Sequence, residues 1–202
     1  MPSPLQSLRQ QSPVALTDKI WLRLADSYQQ PHRHYHSLQH LQELAQHWAR
    51  VAADPGWKDP RSTWLALLFH DVVYDPMAAP GQNEAQSAAL LATLLPQTEV
   101  AQRLIQLTAT HGTAAAETLD GDAALFLDCD LAILGAEPER FAEYERQIAA
   151  EYVPFVGAEA FQLGRAAFLQ KLRDQPRLFH SALFHGRLDA AARRNLGSQG
   201  GG

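Results

Sequence analysis

One cysteine, Cys129, in 202 residues leaves nothing to build a disulfide framework with, and it suits a reducing compartment. No apolar stretch approaches the roughly 20 residues that a helix needs to cross a bilayer. The opening "MPSPLQSLRQQSPVAL" has no basic start leading into an apolar centre, so it does not read as a secretory signal. Positive charge is not in excess: the formal net charge is −5, against the basic surface that a nucleic-acid binder needs. Also missing are a Gly-rich phosphate loop, sustained strand-type alternation, internal repeats and low-complexity blocks. These absences lead to the expectation of a soluble cytoplasmic protein with neither a membrane nor a nucleic-acid polymer as partner. They leave the oligomeric state open.

Hydrophobic residues make up 46% of the chain, ample for a core, and their spacing is helical almost throughout. Trp21, Leu24, Ala25 and Tyr28 mark one face after Thr17-Asp18, either of which can cap, and Pro31 stops the run. Ser37 is placed to cap a helix carrying Leu38, Leu41, Leu44, Ala45 and Trp48. Asp59 followed by Pro60 opens the next helix, which is apolar nearly all round, as a central buried helix would be. Asn83 is expected to cap "EAQSAALLATLL", Thr98 "EVAQRLIQLTATH" with Gly112 as its stop, and Asp122 "AALFLDCDLAIL" with Gly135 as its stop. Glu137-Pro138 starts a helix broken by "VPFVG", and two more follow, around Phe161 to Arg173 and Asp189 to Leu196. The pattern predicts an all-α fold: one globular domain of about eight or nine helices over residues 1–196, with a flexible "GSQGGG" tail at 197–202. The polar loop from Ala78 to Gln82 reads equally as a lid or as a plain connection.

Costly side chains interrupt these apolar helices. "RSTWLALLFHDVVYDP" ends a buried run in His70-Asp71, where an imidazole and a carboxylate need compensation. On a continuous helix the two would differ by about 100° and point apart. Four of the nine histidines fall in "PHRHYHSLQH", and His40 shares a face with Leu44. If that helix begins after Ser37, His36 stands just before its first turn. His111 continues the Leu104, Thr108 face, and in "LFLDCDLAILG" at least one of Asp128 and Asp130 must be buried. A lone histidine is ordinarily a surface or satisfied core residue, and buried aspartates can pair with arginine, for which Arg33, Arg103 and Arg165 are available. Three apolar helices that each carry a histidine or aspartate cluster have metal-ligand chemistry instead. Two imidazoles and two carboxylates suit manganese, iron, cobalt, nickel or zinc, and magnesium less well.

In their order along the chain, His40, His70-Asp71 and Asp130 resemble the H…HD…D signature of the HD superfamily of metal-dependent phosphohydrolases. "RHYHSLQHL", "LALLFHDVVYDP", "NEAQSA" and "AARRNL" together resemble one subgroup of predicted HD phosphohydrolases, from about Tyr28 to Leu196. The resemblance implies an HD-type, phosphodiesterase-like helical core with one or two divalent metal ions on His40, His70, Asp71 and Asp130. "YHSLQH" is similar to the "YHNxxH" segment of cyclic-nucleotide phosphodiesterases, which would make His40 the ligand and His36 the proton donor. "HSLQ" followed by an apolar residue also resembles the HD nucleotidase motif, which would make His36 the ligand. We take His40, because "HLQELA" keeps the apolar pair expected four and five residues after a ligand. The further histidines and nucleotide-clamping glutamine of the phosphodiesterases have no counterpart here, so cyclic nucleotides are not supported.

The expected chemistry is hydrolysis of a small phosphorylated metabolite or nucleotide by metal-activated water. Asp71 would share that water or bridge to a second metal. His36 or His111 could protonate the leaving oxygen, and Arg33 could neutralise phosphate charge. Glu84 is placed either as a base that positions water or as compensation for a helix dipole. Cys129 lies in an apolar helix and is no evident nucleophile. Two rivals stand beside this reading: an HD-fold di-iron oxygenase with His111 and Asp128 at a second iron, and a non-catalytic metal-containing regulatory or binding module. A zinc peptidase is dropped, since "HSLQH" lacks the glutamate of HExxH.

Overall fold

A computed structural model describes residues 3–110 and 119–198. Among them it contains ten α-helices and no strand, so the chain is all-α, with slightly more helices than the spacing predicts. The chain divides into two compact units, Met1–Thr110 and His111–Gly202.

The first unit begins with a helix that the hydrophobic pattern does not announce, α1 (Pro4–Gln11). It is short and mostly polar, with Leu8 as its one buried residue, so apolar periodicity passes over it. Its start is nonetheless written in the sequence as a capping box. Ser3 Oγ accepts from the Gln6 amide at 3.3 Å, and Gln6 Oε1 accepts from the Ser3 amide at 2.9 Å. Thr17 rather than Asp18 caps α2 (Asp18–Tyr28). Ser37 precedes α3 (Leu38–Ala53), and Asp59 accepts from the Ser62 amide at 2.9 Å to open α4 (Pro60–Phe69). Every residue from Ser62 to His70 is buried, because α4 packs against α3, α5 (Gln82–Leu94) and α6 (Glu99–Thr108).

The α5 start differs from expectation. Gly81, at φ 79°, precedes the helix, a backbone conformation that glycine adopts without a Cβ clash. Asn83 stitches the preceding loop instead: its side chain accepts from the Asp75 amide and donates to the Asp75 carbonyl, both at 3.0 Å. Within the same loop Met77 donates to Asp75 and Ala79 to Gln82, so the 75–82 connection is closed on itself by hydrogen bonds. That pinned geometry favours a plain connection over a lid.

In the second unit, Asp120 caps α7 (Gly121–Leu131) by accepting from the Ala123 amide at 2.8 Å, two residues earlier than Asp122. A 3-10 turn (Ala132–Gly135) follows. Gly135 is required there, because a Cβ at this position would stand 2.7 Å from the Leu188 Cβ. α8 (Pro138–Val156) continues through Pro154, and the stop comes from Gly157 at φ 83°, not from the proline. A proline near a helix end forfeits one hydrogen bond without ending the helix, whereas a positive-φ glycine does end it. α9 (Ala158–Arg173) starts at once. α10 (Ala182–Ser198) starts well before Asp189, with Ser181 Oγ accepting from the Phe184 amide at 3.2 Å. The "AARRNL" segment closes this unit. Asn195 donates to the Leu134 and Ala136 carbonyls at 2.9 and 2.8 Å, and Arg193 donates to those of Gln175 and Pro176.

Candidate metal centre

Two helix ends of the first unit build the centre. α3 carries His40 inward in its first turn, beside Leu41 and Leu44, all of them buried. α4 ends at Phe69; His70 caps it, its amide still donating to the Ala66 carbonyl at 2.9 Å, and Asp71 lies in the turn beyond. The 100° separation of a continuous helix therefore does not apply, and the two side chains meet, with His70 Nε2 and Asp71 Oδ2 2.9 Å apart. His40 Nε2 stands 3.1 Å from His70 Nε2 and 3.8 Å from Asp71 Oδ2. A point about 2.1 Å from all three atoms lies about 0.8 Å off their plane, and that is the length of a transition-metal bond to imidazole nitrogen or carboxylate oxygen. Among the described residues this trio is the one group of histidine, cysteine or carboxylate side chains close enough to hold a metal ion.

The hydrogen bonds around the trio fix how its atoms are presented. His70 Nδ1 lies 3.0 Å from the Leu67 carbonyl, which can only accept, so Nδ1 carries the proton. In the neutral ring Nε2 then offers its lone pair, and it faces a second imidazole nitrogen and a carboxylate oxygen. Lone pairs gathered at these distances repel unless a proton or a cation stands among them. Burial by itself would raise the Asp71 carboxyl. With the imidazoles protonated, the charges of His70, His36 and His40 and the hydrogen bond with His70 outweigh it and hold the group well below the usual carboxylate range. The two histidine side chains are 1% exposed and that of Asp71 is 16% exposed, so solvent reaches the trio on the carboxylate side.

Around this trio His36 is half-buried. Its ring lies 4.3 Å from that of Tyr74 and 6.0 Å from that of His40, between centroids. Its charge acts on Asp71, so it is close to the trio without being one of the three. Arg33 bonds to the backbone around the trio. It is 7% exposed, and its Nη1 donates to the carbonyls of Asp71 at 2.6 Å and His36 at 3.3 Å. Nη2 donates to the Val72 carbonyl at 3.2 Å and Nε to Gln30 Oε1 at 3.0 Å. The guanidinium is thus directed at the backbone that carries the centre, not held out toward a ligand. Glu84 is half-buried in the first turn of α5, where it meets the helix N-terminus. His111 lies outside the described residues.

Asp130 belongs to the second unit. It is half-buried on α7, with its charge acting on Tyr144 and on Cys129. Its neighbour Asp128 is fully buried and already engaged: its two carboxylate oxygens accept from the His180 and Ser181 amides, each at 2.7 Å. Burial still pushes its carboxyl up to about 6, against the pull of those bonds and of Arg177. The aspartate that had to be buried is therefore met by backbone amides ahead of α10, with the charge of Arg177 acting beside them. Burial and both aspartates push the Cys129 thiol up, which removes it as a nucleophile.

Sequence reasoning missed Tyr28 as a participant. Its hydroxyl donates to the Leu68 carbonyl at 3.1 Å and accepts from the Asp71 amide at 3.3 Å. Tyr28 was legible as an inward position of α2, but nothing local to it pointed across 43 residues to Asp71.

The fold and the centre define an all-helical protein with a buried two-histidine, one-carboxylate cluster. No family model matches this chain, and neither a curated protein nor a solved structure matches it.

Proposed function

We propose that this protein is a metal-dependent phosphohydrolase of the HD type, acting on a small phosphorylated metabolite or nucleotide. One observation carries the reading. His40 Nε2, His70 Nε2 and Asp71 Oδ2 converge within 3.8 Å, and the Leu67 carbonyl fixes the His70 tautomer whose Nε2 lone pair faces the other two atoms. The H…HD order and the neighbouring "RHYHSLQHL" and "NEAQSA" segments add the phosphohydrolase resemblance. His40, His70 and Asp71 would hold the ion, and a divalent cation supplies Lewis acidity toward a phosphoryl oxygen and acidifies water. The protein's own groups do the rest. Asp71, ionised and partly open to solvent, accepts a hydrogen bond from entering water and fixes the direction of its approach. His36, half-buried beside Asp71 and against Tyr74, gives a proton to the leaving oxygen. The packed faces of His40 and His70 keep bulk water off the imidazole side.

The test is metal analysis of the purified protein, followed by a panel of phosphorylated metabolites assayed with manganese, cobalt, nickel and magnesium. Turnover that chelator abolishes and metal restores supports the reading. Hydrolysis in ¹⁸O-labelled water should place one label in the released phosphate. Metal-bound protein that turns over nothing across the panel would favour a binding module, and activity that needs dioxygen would favour an oxygenase.

A further inference from the structure

Asp71 is the one member of the trio that no helix holds. His40 stands within α3 and His70 on the last turn of α4, while Asp71 lies in the turn beyond Phe69. A carboxylate on a turn is oriented only as well as its own backbone is fixed. Here that backbone is gripped from both sides. The Asp71 amide donates to the Tyr28 hydroxyl, which in turn donates to the Leu68 carbonyl, so one phenol ties the turn back onto the end of α4. The Asp71 carbonyl takes the 2.6 Å bond from Arg33, and the Val72 carbonyl takes another from the same guanidinium. Arg33 also donates to the His36 carbonyl, just before the helix that carries His40. One planar group therefore joins the segment leading to one imidazole with the two peptide units that follow the carboxylate's Cα.

The aromatic rings hold the guanidinium itself. The Arg33 Cζ lies 5.1 Å from the centre of the Tyr28 ring and 5.2 Å from that of Tyr74. Such a planar fork, with its several fixed donors, cannot be replaced by the single ammonium of lysine. A buried cation that donates to the carbonyl of the carboxylate's own residue also sets the local field on the turn without competing for the ion.

We propose that Arg33 and Tyr28 are positioning residues that set the Asp71 carboxylate for metal binding, and that Arg33 is not the phosphate ligand its place in the motif suggests. This inference rests on the metal-centre reading above. It predicts that weakening either grip lets the turn relax and costs affinity for the ion, with the fold retained.

The experiment uses the full chain, with cobalt(II) alone as the probe. Affinity is measured by calorimetry and coordination by the visible absorption of the bound cobalt, for wild type, Tyr28→Phe and Arg33→Lys. Tyr28→Phe keeps the ring and removes only the hydroxyl, so it remains informative if Arg33→Lys fails to fold. Apo-protein helix content and thermal midpoint are recorded alongside. A loss of cobalt affinity of roughly tenfold or more in Tyr28→Phe, with a changed cobalt spectrum and unchanged helix content, is the expected result. A smaller loss with the wild-type spectrum overturns the inference, even if the thermal midpoint falls, since that is all a merely structural role would move. Inorganic phosphate binding to the cobalt-loaded proteins gives a second arm. If Arg33→Lys keeps cobalt affinity but loses phosphate affinity, arginine is the anion ligand and the inference fails. A wild type that binds no cobalt sinks the metal-centre reading itself, a failure distinct from either of these.

Discussion

Replacing Asp128 separates two accounts of the aspartate pair on α7. The structure has its carboxylate accepting the His180 and Ser181 amides at 2.7 Å, just ahead of α10. Hydrogen bonds to a charged group contribute about 1.5–3 kcal/mol each, so the pair contributes about 3–6 kcal/mol in gross terms. Burial opposes these bonds, and the net of the two leaves the carboxyl raised from 3.8 to about 6, so the ionised form is still disfavoured by about 3 kcal/mol relative to the unfolded chain. Removing the acceptor leaves the His180 and Ser181 amides without their partner, a loss that predicts that Asp128→Ala destabilises the protein by about 1–3 kcal/mol at a pH of about 7.5, where the group is ionised. Asp128→Asn should cost less, because its amide oxygen still accepts one of the two bonds. Urea unfolding followed by far-ultraviolet dichroism measures both. Amide exchange should also show the loss concentrated at the start of α10 (Ala182–Ser198). Unchanged stability in Asp128→Ala together with a lost metal ion would refute this reasoning and return Asp128 to a metal site.

Other expectations follow from the same geometry. His40→Ala should lose the metal, while His36→Ala should keep it and lose turnover; elemental analysis and the phosphatase assay distinguish them, and the reverse outcome would make His36 the ligand. Burial, with help from Arg50, lowers His47 to about 4, so the folded protein resists a proton that the unfolded chain takes up near pH 6.5. Stability should therefore fall as pH drops from about 6.5 to about 4, by at most about 3 kcal/mol from this group. His47→Gln should flatten that part of the urea-midpoint profile, and an unchanged profile would count against the assignment. Cys129→Ser should leave the metal-dependent activity intact, since the thiol is 2% exposed and held protonated.

How much of this was legible in the sequence depended on the kind of signal. Helices with strong apolar stripes could be read directly: α2 (Asp18–Tyr28), α3 (Leu38–Ala53) and α4 (Pro60–Phe69) stand where the periodicity and the caps Thr17, Ser37 and Asp59 put them. Their ends were harder. Asp122 loses the cap of α7 to Asp120, and Asn83 loses that of α5 to Gly81, because which of two polar residues caps depends on where the loop arrives. α1 (Pro4–Gln11) was hidden by its polarity, although Ser3 and Gln6 spelled out its start.

The same division holds at the centre. His40 as an inward residue and His70-Asp71 as costly buried groups followed from periodicity, and the three do come together. That His70 and Asp71 point at one another did not follow, since helical geometry was applied one residue beyond the helix that ends at Phe69. The backbone contacts of Arg33 were out of reach for a related reason. A cation near a presumed anion site suggests a ligand, and only tertiary structure reveals that its donors go to the Asp71 and Val72 carbonyls.

The measurement that bears most directly on the central claim is the metal content of the purified protein and of His70→Ala, before and after reconstitution with cobalt or manganese. His70 is 1% exposed and contributes Nε2 at 2.9 Å from Asp71 and 3.1 Å from His40, so its loss removes the shared corner of the cluster. The account predicts roughly one or two ions per wild-type chain after reconstitution, and loss of the tighter one in His70→Ala. Wild-type protein that carries no metal as purified and shows no calorimetric binding of either ion would contradict it.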